Sequence, residues 1–145
     1  MSLLSFVAAL ECAPNAVLQH TGLERTLVVG AGGFLGAAAR YLVGGLVHRW
    51  LPATFPYGTF LINVTGCFAI GVLAALAEEG SVPPAARLFL MIGVLGGYTT
   101  FSSFGYETFS LIREGSGPAA CVNVVGQVVL GMLAVWGGAA LGRSL

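Results

Sequence analysis

Twelve charged side chains, six arginines and six glutamates, divide this 145-residue chain into four long apolar stretches. The first runs from Leu27 to Val47, interrupted only by Arg40, and closes at His48, Arg49 and Pro52. The second is free of charge from Trp50 to Ala77, and Pro56 sets its helix to begin near Tyr57. Glu78, Glu79, Gly80, Pro83 and Pro84 make a short polar turn before a third stretch, from about Arg87 to Ile112, which ends at Arg113-Glu114-Gly115. The fourth extends from Pro118 to Leu141, with Arg143 at its exit. Each is close to the roughly 20 residues that cross a hydrocarbon core of about 30 Å as helix. Lipid supplies no partners for backbone N–H and C=O groups, so apolar spans of this length fold as helices. With 57% hydrophobic and only 8% charged residues, against about 25% charged in a soluble domain, the chain reads as an all-α membrane protein. Its four transmembrane helices are joined by short loops.

The same charges exclude several function classes. The formal net charge is zero, which gives no basic patch for a nucleic acid. Cys12, Cys67 and Cys121 have no metal-ligand spacing, and His20 and His48 stand outside the spans. No nucleophile–base pair is visible, so the chain is not read as an enzyme. Residues 1–24 are expected to form a disordered or interfacial tail, apart from the four-helix transmembrane domain at 25–145. Leu3–Leu10 is too short to span, has no positive residue before it, and is followed by Glu11 beside Cys12, which spoils a lipoprotein-type cleavage site. Orientation is nearly unbiased. Arg25, Arg87 and Arg143 fall at one side and Arg49 and Arg113 at the other. Two accounts fit: cellular context decides the orientation, or copies insert both ways and pair antiparallel.

Uncharged polar residues recur inside three of the spans. Gly96-Gly97-Tyr98-Thr99-Thr100-Phe101-Ser102-Ser103-Phe104 sets a paired glycine and a cluster of hydroxyls in the middle of the third. Glycine loosens a helix, and hydroxyls replace backbone partners or hydrate a passing solute. Phe101 and Phe104 are three apart and share a face. In the second span Thr59, Asn63 and Gly66 share a face, and in the fourth Asn123 and Gln127 are four apart with Gly131 beyond them. Polar residues at this depth look toward protein or water. Taken alone, Asn63 is better explained by an interhelical hydrogen bond than by donation to an ion. Arg40 is open to two readings as well, an anchor snorkelling to the interface or an electropositive vestibule. Gly30, Gly32, Gly33 and Gly36 in the first span permit close helix approach. No acid sits at mid-depth, Glu107 coming nearest, whereas a cation or proton-coupled path calls for a buried carboxylate. Hydroxyls, amides and the electropositive edges of aromatic rings favour a small hard anion.

Three of these segments carry a family resemblance. Gly32-Gly33-Phe34-Leu35-Gly36-Ala37-Ala38-Ala39-Arg40-Tyr41, Gly58-Thr59 through Asn63 and Gly66, and Gly96 through Phe104 resemble, in order, the first three helix motifs of the Fluc/CrcB fluoride channels. The likeness is colinear from about Arg25 to Arg143. It implies an antiparallel dual-topology homodimer with a broken third helix and two fluoride pores, multi-pass in the cell (inner or plasma) membrane. It further implies that Asn63, Phe101 and Phe104 line the pore, that Thr100, Ser102 and Ser103 add hydroxyls, and that Arg40 lies near a vestibule. Glu107 corresponds to an acidic position near a pore end. A break from Gly96 to Thr99 would present the backbone carbonyls of Gly96 and Thr99 to a structural Na+ shared at the dimer centre. Asn123 and Gln127 depart from the family pattern, which has a tyrosine and then a serine there, and Tyr98 replaces an aliphatic residue or phenylalanine.

The resemblance implies passive fluoride export that confers fluoride resistance. Fluoride enters as HF, ionises near pH 7 and leaves down an inside-negative potential, worth about 2.3 kcal/mol per charge per 100 mV. A small four-helix coupled exporter is the main alternative, but it calls for a carboxylate within the first span. A non-transporting assembly subunit is the other, with the polar stripes serving only as helix glue.

Overall fold

The computed structural model describes residues 22–145, and they form four membrane-length helical spans. Helix α1 (Gly22–Trp50) and helix α2 (Tyr57–Glu78) make the first two. The third span, Pro84–Arg113, is assembled from pieces. These are α3 (Pro84–Arg87), a π-helical stretch (Leu88–Val94), α4 (Leu95–Tyr98) and α5 (Phe101–Arg113). Helix α6 (Gly117–Gly142) is the fourth.

The helix starts and stops follow from local chemistry. Helix α1 begins ahead of the Arg25 boundary expected from charge: the Thr26 hydroxyl donates to the Gly22 carbonyl at 2.8 Å, and Glu24 sits in the first turn, where the helix dipole favours an acid. Gly22, Leu23 and Glu24 therefore belong to α1, and the remainder of the expected tail, 1–21, lies outside the described residues. Pro56 precedes α2, and Pro118 enters the first turn of α6, where its missing N–H costs nothing. The turns after α2 and α5 use Gly80 (φ 80) and Gly115 (φ 75), left-handed conformations that suit glycine. Arg87 donates from Nε to the Val82 carbonyl at 3.0 Å and from Nη2 to the Ala77 carbonyl, tying the α2 exit to the start of the third span.

Backbone contact through glycine determines how the spans pack. A Cβ on Gly32 would come within 2.9 Å of the Gly93 Cα, and one on Gly36 within 2.8 Å of the Tyr98 nitrogen. A Cβ on Gly97 would stand 3.0 Å from the Gly33 Cα. The glycines of the first span thus seat the third span directly on α1. Helices α2 and α6 use the same device: a Cβ on Gly71 would lie 3.0 Å from the Ala139 nitrogen, and one on Gly138 would lie 3.1 Å from the Val72 nitrogen. In lipid, where apolar surfaces gain nothing by avoiding water, such close packing drives helix association.

Between α4 and α5 the backbone leaves the helix for two residues. Thr99 (φ −80, ψ 157) and Thr100 (φ −152, ψ 119) are extended. Gly96 and Gly97, expected within the interruption, are instead helical members of α4. Glycine can tolerate either state, and what places the interruption at the threonines is the set of partners waiting for Thr100.

Candidate functional site

Thr99 keeps its N–H on the Leu95 carbonyl at 3.0 Å, but the extended Thr100 takes its own N–H and C=O out of the helix ladder, and hydrocarbon supplies no substitute. Asn63 on α2 answers both groups at once. The Thr100 N–H donates to Asn63 Oδ1 at 2.9 Å, and Asn63 Nδ2 donates back to the Thr100 carbonyl at 3.1 Å. In a continuous helix that N–H would close on the Gly96 carbonyl, so the clasp also removes the ordinary partner of Gly96. Thr100 then caps α5: the Ser103 N–H donates to Thr100 Oγ1 at 3.3 Å, as an N-cap threonine requires. The hydroxyls of Ser102 and Ser103 gather on the same oxygen, at 3.3 and 3.1 Å.

The clasp continues across the bundle. Asn63 Nδ2 also donates to Gln127 Oε1 at 2.7 Å, and Gln127 Nε2 donates to Asn123 Oδ1 at 2.9 Å. Asn123, wholly buried, donates from Nδ2 to the Thr108 hydroxyl at 2.9 Å. Thr108 in turn donates to the Phe104 carbonyl at 2.7 Å. The i, i+4 spacing of Asn123 and Gln127 therefore does place them on the inner face. Thr108 is a member that sequence reasoning passed over. Its spacing offered a signal, since Thr100, Phe104 and Thr108 repeat every four residues on one face of the third span.

Arg40 turns toward the break, where Nη1 donates to the Thr99 carbonyl at 3.5 Å. It makes a long contact with a carbonyl that the extended backbone has left without a helical donor. The Tyr98 and Thr65 hydroxyls lie 3.0 Å apart, so this variant aromatic is tied to α2. The Phe101 and Phe104 rings are tilted by 49° with centroids 5.5 Å apart. Phe104 is half-buried, but Phe101 is 84% exposed and Gly96 is also exposed. A groove of about 360 Å³ opens beside the break, among Asn63, Cys67, Leu95, Thr99, Thr100 and Phe101.

Farther along the span the Thr59 hydroxyl donates to Glu107 Oε1 at 2.7 Å, and Glu107 Oε2 is buried with no hydrogen-bond partner. A second cavity, of about 170 Å³, brings Glu107 together with His48, Ser110 and Glu114 at the end of the bundle where α1 finishes. Among the described residues, no three His, Cys, Asp or Glu side chains gather as metal ligands.

This arrangement presents a hard-donor surface beside two aromatic rings, held by side chains from three spans. The profile of the family described as CrcB-like protein, Camphor Resistance (CrcB), matches residues 27–139. The chain is 49% identical over 118 residues to the fluoride-specific ion channel FluC of Solibacter usitatus, covering 81% of this chain and 97% of that protein. It is 49% identical over 120 residues to the protein of the same name from Nitrobacter winogradskyi, covering 82% and 95%. With that of Thermus thermophilus it shares 44% identity over 124 residues, covering 86% and 98%.

Proposed function

Because this chain belongs to the CrcB-like family, we propose that it works as a fluoride channel whose pore runs along the Asn63–Thr100 clasp and the Phe101/Phe104 pair. The family relatives, fluoride-specific channels that match nearly their whole length, make fluoride conduction its function. The observation that carries the location is the clasp itself. It keeps a helix open at mid-membrane and lines the opening with hydroxyls and ring edges.

Conduction is passive and outward. Fluoride gives up a tightly held hydration shell only to donors that replace it, and it leaves only if each site holds it weakly. Ser102 and Ser103 hydroxyls and the electropositive ring edges form such a graded series. Chloride, being larger, gains less from short hydrogen bonds in a narrow path. The membrane potential supplies the drive, so no coupled ion is needed. The only acid of α1 is Glu24 in its first turn, and the span therefore lacks the carboxylate of a coupled exporter.

The working unit is an antiparallel homodimer in the cell membrane. A ring that is 84% exposed walls a pore only if a second chain faces it, and the balanced arginines let copies insert in both orientations. Na+ suits the centre of that dimer. Backbone carbonyls are hard oxygen donors, and those of Gly96 and Thr99 stand where the helix ladder is interrupted. Bound there, Na+ would supply fixed positive charge and join the two breaks. Arg40 reaches the same Thr99 carbonyl and adds a positive field that draws anions.

Purified protein in liposomes, under a voltage set by a potassium gradient, tests this reading. Fast voltage-driven fluoride efflux without chloride efflux is expected. Folded dimers that release no fluoride would refute it and leave the polar residues as helix glue.

A further inference from the structure

The hydrogen bonds of the site form a closed loop that begins and ends on the same helical turn. From the Thr100 backbone it passes to Asn63 on α2, to Gln127 and Asn123 on α6, to Thr108, and back to the Phe104 carbonyl. Its direction is not free. A backbone N–H can only donate, so Thr100 requires an oxygen from Asn63 and thereby fixes which way that amide points. Asn63 Nδ2 must then donate to Gln127 Oε1, Gln127 Nε2 to Asn123 Oδ1, and Asn123 Nδ2 to the Thr108 hydroxyl. That hydroxyl has only the Phe104 carbonyl left to receive its proton. Every amide orientation follows from one backbone donor.

Donor counting has a functional consequence. An asparagine amide has two N–H groups, and Asn63 spends both, one on the Thr100 carbonyl and one on Gln127. Neither is left for an ion while the loop is closed. We infer that in this chain Asn63 acts as a positioning residue rather than a fluoride ligand. Together with Gln127, Asn123 and Thr108 it forms a loop that locks the turn carrying Phe101 and Phe104 in its conducting geometry. Thr108 is the closing member. Without its hydroxyl, the wholly buried Asn123 loses its acceptor, and the constraint on the Phe104 backbone is released.

The inference rests on the channel reading, and the experiment separates the two. Fluoride efflux per folded dimer is measured for wild type, Thr108→Val, which keeps the shape but not the hydroxyl, and Thr108→Ser, which restores it. Wild-type conduction with roughly tenfold slower efflux in Thr108→Val is expected, the scale of one buried polar group losing its partner. Thr108→Ser should recover most of the flux. Full conduction by Thr108→Val, or equal impairment of the Val and Ser variants, would overturn the loop. Should Thr108→Val not fold, Thr108→Ala makes the same comparison against Ser.

A double-mutant cycle between Thr108→Val and Asn63→Ala, read from unfolding in detergent, does not depend on flux. The loop predicts that the two substitutions together destabilise by less than the sum of each alone, whereas strict additivity overturns it. Absence of fluoride efflux in the wild type would sink the channel reading itself, whatever the cycle returns.

Discussion

Replacing Asn63 with alanine strips both partners from the Thr100 backbone, and the structure allows the consequence to be sized. Two polar groups on a residue only 9% exposed lose bonds of 2.9 and 3.1 Å. Orphaning a buried donor or acceptor costs about 1 to 3 kcal/mol, so the pair costs about 2 to 6 kcal/mol. The groove that borders both Asn63 and Thr100 admits some water, which places the expected loss near the lower end, about 3 kcal/mol. The cheapest escape is for Thr100 to rejoin the helix and close its N–H on the Gly96 carbonyl. That turns the Phe101/Phe104 face relative to α4 and buries the hydroxyls of the cap. At about 1.4 kcal/mol per tenfold, a 3 kcal/mol bias leaves under one molecule in a hundred in the open geometry. Fluoride efflux should fall by about two orders of magnitude, and the unfolding midpoint in detergent should drop with it. Asn63→Asp sharpens the case. It keeps an acceptor for the Thr100 N–H but sets a second oxygen against the Thr100 carbonyl and Gln127 Oε1, so it should conduct no better than alanine. An alanine variant with efflux within threefold of wild type and unchanged stability would refute this reasoning.

Two further outcomes follow from other parts of the site. Phe101→Ile and Phe104→Ile remove the electropositive ring edges while keeping apolar bulk, so both should cripple efflux with little change in unfolding. Normal flux in both would detach the rings from the pore. Gly36→Val places a Cβ 2.8 Å from the Tyr98 nitrogen and forces α1 away from α4. It should cost several kcal/mol, seen as loss of folded protein on size-exclusion chromatography, whereas Gly30→Ala, with nothing within 4 Å, should fold as wild type.

Much of this was legible because membrane helices announce themselves through charge. Arg49, Glu78–Glu79 and Arg113–Glu114 marked span ends that lie within a few residues of the helix termini at Trp50, Glu78 and Arg113. The glycines of α1 were recognisable as a close-approach surface, but not which span they would meet. Spacing within one helix says which residues share a face, and it does not say which face of another helix lies opposite. For the same reason the pairing of Asn63 with Thr100 was invisible, although both residues stood out. Gly96 was drawn into the break by the family resemblance, with glycine's looseness in support, yet the break follows a competitor for backbone bonds, and that competitor sits on another helix. The π-helical stretch Leu88–Val94 left no trace, because an apolar run reads alike in either winding.

Helix glue and pore lining, which the sequence left as alternatives for Asn63, place different demands on a donor. Glue uses its hydrogen bonds up, and a ligand needs them unspent. Asn63 is spent, as is the Thr108 hydroxyl, while the Ser102 and Ser103 hydroxyls have only the Thr100 hydroxyl, at 3.3 and 3.1 Å. Those longer, mutually shared contacts are the ones an incoming anion can take over at little cost, since the hydroxyls rotate and the cap survives on the Ser103 N–H. A channel must bind fluoride well enough to strip its water and loosely enough to release it. On the proposed reading, dividing the work meets both needs: rigid amides hold the helix open, and loosely engaged hydroxyls and ring edges meet the ion.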